Sequence, residues 1–194
     1  MSDNQTKIKL GNIEILKPRE IVYDILKYKN SGTVLDLGAG SGRHSLFLAY
    51  KGFSVIAVEL EQSKLDKIQE SAKKLGVTIK IVQADIGDFQ PKEKYDVIIA
   101  TMTLHFLPAE KVLTTIKRIQ EATNMDGLNV ITVYTSENPA GLRPYLFKKG
   151  ELRNYYNNWE MLQYEEFLGP KIENRKDGGP ERRYNAQMIA RKNF

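Results

Sequence analysis

The sequence predicts an α/β fold: a Rossmann-like, doubly wound, mainly parallel sheet with helices on both faces and a C-terminal antiparallel strand pair. Three observations predict it. Apolar runs of strand length alternate with segments of helical periodicity, the pattern of a parallel sheet covered on both sides. The first clear strand runs directly into a glycine loop that opens a helix, Val34-Leu35-Asp36-Leu37-Gly38-Ala39-Gly40-Ser41-Gly42. The last two strand patterns follow each other with no helical pattern between them, so they are expected to pair antiparallel.

The elements follow in chain order. Residues 18–29 begin with Pro18 and carry Ile21, Val22, Ile25 and Leu26 on one face, a helix stopped near Gly32. Thr33–Leu37 is a short apolar run, hence a buried strand. Ser41–Tyr50 is a helix, with Ser41 positioned to cap it. Ser54–Leu60 is a second strand. Gln62–Leu75 carries Leu65, Ile68, Ala72 and Leu75 on one side and stops at Gly76. Val77, Ile79 and Ile81 alternate with polar residues, giving a third strand; Tyr95–Ala100 is a fourth. Pro108 opens a helix with Val112, Ile116 and Ile119 on one face. Gly127–Thr135 is a fifth strand and Lys149–Tyr156 a helix. Trp159–Phe167 and Arg182–Arg191 are the final pair, joined through Gly169, Pro170, Gly178, Gly179 and Pro180.

Composition narrows the chemistry. The 194 residues fit one domain with a well-buried core. With no cysteine, disulfides, zinc ribbons, iron–sulfur clusters and thiolate nucleophiles are excluded. The two histidines, His44 and His105, are too few for a histidine-rich metal site. A net charge of +5 is spread along the chain and reads as solvated surface, with some enrichment from Lys171 to Lys192. The start, MSDNQTKIKL, is polar, and no apolar run nears the roughly 18 residues of a membrane span. The expectation is a cytoplasmic protein with no membrane partner.

The glycine loop carries the strongest chemical signal. It lies where open α/β sheets bind ligands, and glycines let a ligand approach the backbone closely. A dinucleotide fingerprint needs a third glycine where Arg43 stands, and no P-loop pattern occurs anywhere. Asp36, two residues before the first glycine, would repel a pyrophosphate and suits a cationic ligand.

Here the sequence resembles the class I S-adenosylmethionine-dependent methyltransferases. An acid followed by G-x-G-x-G is matched by Asp36 to Gly42. An acid ending the second strand is matched by Glu59 in Val55-Ile56-Ala57-Val58-Glu59-Leu60, where two acceptor oxygens can take both ribose hydroxyls. An acid after the third strand is matched by Asp85 in Gln83-Ala84-Asp85-Ile86, able to accept from the adenine amino group. The fourth motif is matched by Tyr95-Asp96-Val97-Ile98-Ile99-Ala100-Thr101. The resemblance implies S-adenosyl-L-methionine as cofactor, S-adenosyl-L-homocysteine as product, and cofactor contacts from Asp36, Gly38, Ala39, Gly40, Glu59, Leu60, Asp85, Ile86 and Thr101. Residues 18–135 would form the cofactor-binding core and 136–194 the acceptor side of a single domain. Taken singly, Asp36 also reads as a loop cap, Glu59 as a surface strand end and Asp85 as a turn former.

A narrower resemblance is to the bacterial tellurite-resistance methyltransferase family. It rests on Gly42-Arg43-His44-Ser45-Leu46, on Glu151-Leu152-Arg153-Asn154-Tyr155-Tyr156-Asn157-Asn158-Trp159-Glu160, and on Met188-Ile189-Ala190-Arg191-Lys192. That family carries a histidine–arginine pair between the last two strands, where this chain has Ile172-Glu173, with Arg175, Arg182 and Arg183 nearby.

For the acceptor, His105 after the fourth strand reads either as a group that positions the acceptor or takes its proton, or as a residue packed beneath the cleft. Arg43 reads as a clamp for an anionic acceptor or for the methionine carboxylate, or as a surface arginine. His44 reads as packing or surface. Tyr145, Tyr155 and Tyr156 are candidates to line the acceptor pocket; Trp159 reads as core. No metal is required. The expected acceptor is a small molecule, with tellurium and selenium oxyanions among the candidates. Fourth-motif residues Ala100-Thr101-Met102-Thr103 lack the N/D-P-P-Y/F pattern of amino-directed DNA methylation, and no nucleic-acid module is appended. Other metabolites, RNA or protein remain as alternative acceptors, and a non-catalytic cofactor-binding sensor or scaffold as an alternative function. The sequence leaves the oligomeric state open.

Overall fold

The structure, a computed structural model, describes residues 7–172 and 179–193. Its centre is a seven-stranded sheet. The strands are β3 (Thr33–Leu37), β4 (Ser54–Glu59), β5 (Ile79–Gln83), β6 (Tyr95–Thr101), β7 (Thr123–Tyr134), β8 (Glu160–Leu168) and β9 (Tyr184–Arg191). They are arranged in the order β5-β4-β3-β6-β7-β9-β8. The first five run parallel. β9 pairs antiparallel with both β7 and β8, as the missing crossover helix predicts.

Two apolar cores sandwich the sheet. On one side α1 (Glu20–Tyr23), α2 (Arg43–Tyr50) and α3 (Gln62–Leu75) bury Ile21, Leu46, Phe47, Leu65 and Ile68 against Val34, Val55 and Val97. On the other, α4 (Ala109–Glu121) and α5 (Glu151–Asn154) bury Val112, Ile116, Ile119 and Leu152 against Leu35, Ile98 and Ile131. The apolar spacing read from the sequence is therefore the spacing that packs. Among the described residues no helix is long and apolar enough to cross a membrane.

The differences from expectation are local. A two-stranded hairpin, β1 (Lys7–Leu10) and β2 (Ile13–Leu16), precedes the first predicted element. It turns at Gly11 and buries Leu10 and Ile15 in the α2–α3 core. The predicted first helix is one α-helical turn continued by a 3-10 turn over Asp24–Lys27. Ser41 does not cap α2: the Gly42 N–H bonds the Ala39 carbonyl, closing a turn that sets Gly42 itself at the cap position. β7 starts four residues earlier than predicted because Thr123 pairs with Tyr95 across a register shift. The helix expected over Lys149–Tyr156 is the four-residue α5, followed by turns.

Candidate functional site

The carboxyl ends of β3, β4, β5 and β6 converge where the strand order reverses, between β3 and β6, the crevice in which such sheets take ligands. The glycine loop is tied to β4 there, since the Gly38 and Ala39 N–H groups both donate to the Val58 carbonyl (2.9 and 3.0 Å). The period of two along β3 sends Leu35 and Leu37 into the α4 core and leaves Asp36 facing α2. There its Oδ2 accepts from the Ser45 hydroxyl at 2.6 Å. Burial pushes the Asp36 carboxyl up to about 6, against the lowering pull of the Ser45 hydroxyl and the Arg43 guanidinium.

Glu59 is buried at the end of β4. Its Oε2 accepts from the Gly40 N–H (2.8 Å) and its Oε1 from the N–H groups of Leu60 (2.9 Å) and Glu61 (3.2 Å). One carboxylate thus joins the glycine loop to the strand-end acid. Asp85 is exposed after β5, with Oδ1 taken by the Gly87 N–H at 2.7 Å. Leu60 is largely exposed and Ile86 half-buried, two apolar side chains flanking these acids in sequence. A side chain at Gly40 would meet nothing within 4 Å, so open space lies over the middle of the loop. A buried acid beneath the loop, an acid at its edge and an exposed acid beyond it fit a ligand with cationic, ribose and adenine parts.

His44 is packed rather than exposed. The Arg19 N–H donates to its Nε2 (3.4 Å), which leaves Nδ1 as the protonated nitrogen, 3.0 Å from the Thr101 hydroxyl oxygen. Burial holds this imidazole well below its usual range, helped by Arg43 and Arg19. Arg43 is half-buried at the start of α2 and lines a groove with Ser41 and the β1–β2 hairpin. That groove is separate from the cleft described next.

A cleft of about 320 Å³ opens beyond β6 and β7, lined among others by Arg19, Met102, Tyr134, Phe167, Arg183 and Asn185. Tyr134 forms part of its wall. The Arg183 Nη1 donates to the Tyr134 hydroxyl (3.1 Å), and the Arg183 and Arg143 guanidinium carbons lie 5.3 and 5.6 Å from the Tyr134 ring centre. His105 lies fully buried behind Tyr134, with ring centres 4.3 Å apart. Its Nδ1 accepts from the Tyr134 backbone N–H at 3.2 Å, so Nε2 carries the proton. Burial, then Arg143, Arg19 and Arg183, push His105 down to about 3. The proton-accepting role expected of His105 is thereby corrected: its lone pair is engaged and three cations oppose its protonation.

Packing places the other aromatic candidates away from the cleft, and Trp159 against the core as expected. Tyr145 and Tyr155 both donate to Glu151, and Tyr156 is buried with its hydroxyl on Asn129 (2.9 Å). Trp159 is half-buried and meets the Tyr156 ring edge-on. Among the described residues none of these lines the cleft. Arg182 donates to the Gly169 carbonyl (2.8 Å); Glu173 and Arg175 lie outside the described residues. Sequence reasoning missed Arg19, Tyr134 and Arg143. Tyr134 ends β7, two residues beyond the strand partner of Thr101, so a search of the strand ends could have selected it. Arg19 and Arg143 carry no local signal.

A family model described as tellurite resistance protein TehB matches residues 12–183. The chain belongs to the TehB family. A TehB relative from Haemophilus influenzae strain 10810, described as a probable S-adenosyl-L-methionine-dependent methyltransferase, is 34% identical over 174 residues, covering 88% of this chain and 61% of its own. The crystal structure of TehB from Haemophilus influenzae superposes with a TM-score of 0.83 at 32% identity, over 90% of this chain and 62% of that one. This chain therefore spans about three fifths of the length of the TehB proteins it matches. A 1,6-didemethyltoxoflavin-N1-methyltransferase from Burkholderia thailandensis, solved with 1,6-didemethyltoxoflavin and S-adenosylhomocysteine, shares the fold at a TM-score of 0.67 and 23% identity, over 90% of this chain and 76% of its own.

Proposed function

We propose that this chain transfers the methyl group of S-adenosyl-L-methionine to a small anionic or soft nucleophile, releasing S-adenosyl-L-homocysteine. Tellurite is the inorganic candidate that the family's description brings forward, and selenium oxyanions are its chemical neighbours. In this reading residues 18–135 hold the cofactor, residues 136–194 complete the acceptor side, and the protein works in the cytoplasm. The observation that carries the reading is Glu59, a buried carboxylate held by the Gly40 amide at the edge of the open loop. The family's probable methyltransferases support it.

When bound, the cofactor supplies an electrophilic methyl group on a sulfonium. The chain's own groups bind and orient. Glu59 takes the ribose hydroxyls, Asp85 the adenine amino group, and Asp36 faces the cationic end. Gly38, Ala39 and Gly40 let the backbone approach, Leu60 and Ile86 cover the adenine, and Thr101 closes the floor beside His44. Arg43, close enough to lower the Asp36 carboxyl, takes the methionine carboxylate. Arg19 and Arg183 attract an anionic acceptor into the cleft. His105 is a positioning residue: its neutral ring braces Tyr134, and the acceptor must arrive with its electron pair available.

Two measurements test this. Calorimetry should detect S-adenosyl-L-methionine, and Glu59→Ala should weaken its binding by about 10- to 100-fold, as loss of a charged hydrogen bond worth ~1.5–3 kcal/mol requires. A loss under about twofold removes Glu59 from the site, and tighter binding of NAD rejects the reading. Release of S-adenosyl-L-homocysteine should then be followed with tellurite, selenite and thiols as acceptors.

A further inference from the structure

The cleft beyond β6 and β7 is polar, and much of its charge is already matched. Glu20 pairs with Lys17, Lys171 with Glu181 (3.1 Å), and the Glu165 Oε2 accepts from the Gln187 amide (3.1 Å). The Tyr134 hydroxyl is arranged differently. Its oxygen accepts from the Arg183 Nη1 at 3.1 Å. A guanidinium has no acceptor, so the bond cannot run the other way, and the phenol keeps its own proton to give. Among the described residues no group accepts that proton. The side chain that carries it is fixed. The His105 ring stacks on the Tyr134 ring (4.3 Å), and the Tyr134 backbone N–H bonds the His105 Nδ1 (3.2 Å). Arg183 is equally constrained: it is buried, and its carbonyl accepts from the Gly169 N–H (2.8 Å) and the Asn185 side-chain amide (2.6 Å). The hydroxyl therefore stands at a defined point of the wall, polarised by a buried cation. A group that accepts a charged hydrogen bond donates more strongly itself. Met102 lines the same cleft and directly follows Thr101, so the cleft adjoins the strand ends assigned to the cofactor.

Resting on the methyl-transfer reading, we propose that the Tyr134 hydroxyl is a catalytic residue: it donates to one oxygen of the acceptor anion and so orients the acceptor toward the methyl group. The chemistry it recognises is an oxygen on the acceptor, as in tellurite or selenite. Arg183 and Arg19 meet the charge, and Tyr134 sets the angle. With one oxygen pinned, the lone pair on the central chalcogen can be turned to the methyl carbon, and orientation of this kind is a large part of what a site contributes to such a transfer. The lone pair forms the new bond to carbon as the sulfonium carbon–sulfur bond breaks, and the electron pair of that bond stays on the sulfur. The chalcogen is formally oxidised by the methyl group it takes, so no further oxidant or reductant enters, and the anion loses one negative charge. Tyr134 keeps its proton throughout. The step asks for no base, in keeping with the engaged Nδ1 of His105. The same role explains why a buried histidine and a buried arginine are both spent on holding one tyrosine.

The test uses the full chain and Tyr134→Phe, which keeps the ring, its stack on His105 and both flanking guanidiniums and loses the hydroxyl alone. Selenite and tellurite binding are measured by calorimetry with S-adenosyl-L-homocysteine saturating, so that no turnover occurs. Loss of a hydrogen bond to a charged group should weaken both by about tenfold or more. Turnover with S-adenosyl-L-methionine is then compared for selenite and for 1-propanethiol, a nucleophile without oxygen. Tyr134→Phe should lose at least about five times more with selenite than with the thiol, whereas a merely structural role would lower both alike. If Tyr134→Phe fails to fold, the unaltered chain labelled at the tyrosine Cζ carbons serves instead: saturating selenite should shift the resonance of one tyrosine. Oxyanion binding that is unchanged or tighter in Tyr134→Phe overturns the proposal, as do equal losses with the two acceptors or a Cζ spectrum that selenite leaves untouched. Failure of both oxyanions to bind the unaltered chain also overturns it, while methyl transfer to another acceptor still stands. Failure of S-adenosyl-L-homocysteine to bind removes both readings together.

Discussion

At the residue scale, Asp36 links the site to pH. Its carboxyl is raised from 3.8 to about 6 in the folded chain, chiefly by burial. The folded protein therefore prefers Asp36 protonated. The stability this contributes is fully present below about pH 4 and is lost as pH rises through about 6, at most ~3 kcal/mol at 1.36 kcal/mol per unit. A cationic ligand beside Asp36 reverses the preference, because it stabilises the carboxylate. Binding of S-adenosyl-L-methionine should thus strengthen by up to about tenfold between pH 5 and pH 7, with release of a proton near pH 6. Titrations in buffers of different ionisation enthalpy would detect that proton. Asp36→Asn should flatten the profile, and a flat profile in the unaltered protein would separate Asp36 from the cofactor. His105, held down to about 3, stays neutral across the same range and contributes no inflection.

At the element scale, two glycines of one loop answer to different demands. A side chain at Gly38 (φ 70°) would place its first carbon 2.2 Å from the Thr103 hydroxyl oxygen, so this position serves the fold. At Gly40 (φ 58°) the added carbon meets nothing within 4 Å, so the fold does not require this glycine and the proposed cofactor has room there. Gly38→Ala should lower thermal stability sharply or prevent folding. Gly40→Ala should cost only the ~1–2 kcal/mol of a left-handed alanine, yet weaken S-adenosyl-L-methionine binding at least tenfold. Melting temperature and calorimetry on the two variants separate these outcomes; equal losses in both would assign both glycines to the fold. The loop was legible because its acid and glycines lie within seven consecutive residues. The α3 and α4 helices were legible because Leu65, Ile68 and Ala72, and Val112, Ile116 and Ile119, repeat at one-turn spacing and bury there. The β1–β2 hairpin carries a comparable signal in Ile8, Leu10, Ile13 and Ile15, but each strand has only four residues. The Ser41 cap failed because a turn closed by the Gly42 N–H outcompeted a side-chain cap, an effect that composition does not reveal.

At the scale of the whole molecule, the two halves of the site differ in how the chain builds them. Asp36 lies near the end of β3, Glu59 ends β4 and Asp85 follows β5, in the order that the methyltransferase resemblance implies, so reading motif by motif along the chain located them. The cleft proposed for the acceptor draws Arg19 from before α1, Met102 from the end of β6, Tyr134 from the end of β7 and Arg183 from before β9. Only the folded sheet brings them together, so no window of sequence contained the signal. The same division predicts how ligands act on stability. The groups proposed to hold the cofactor bridge β3, β4 and the segment after β5, which are adjacent only in the native sheet. S-adenosyl-L-methionine should therefore bind the folded chain alone. At a free concentration of 100 times its dissociation constant, this adds ~2.7 kcal/mol to stability. For a chain of 194 residues that corresponds to a rise of about 5–10 °C in melting temperature, at roughly 2–4 °C per kcal/mol. Gly40→Ala at the same ligand concentration should keep about half of the rise or less, because its dissociation constant is at least tenfold larger. An unshifted melting temperature for the unaltered chain, with S-adenosyl-L-methionine in that excess, would mean that the strand-end acids do not form a cofactor site at all. A rise that survives intact in both Gly40→Ala and Glu59→Ala would place the ligand elsewhere on the sheet.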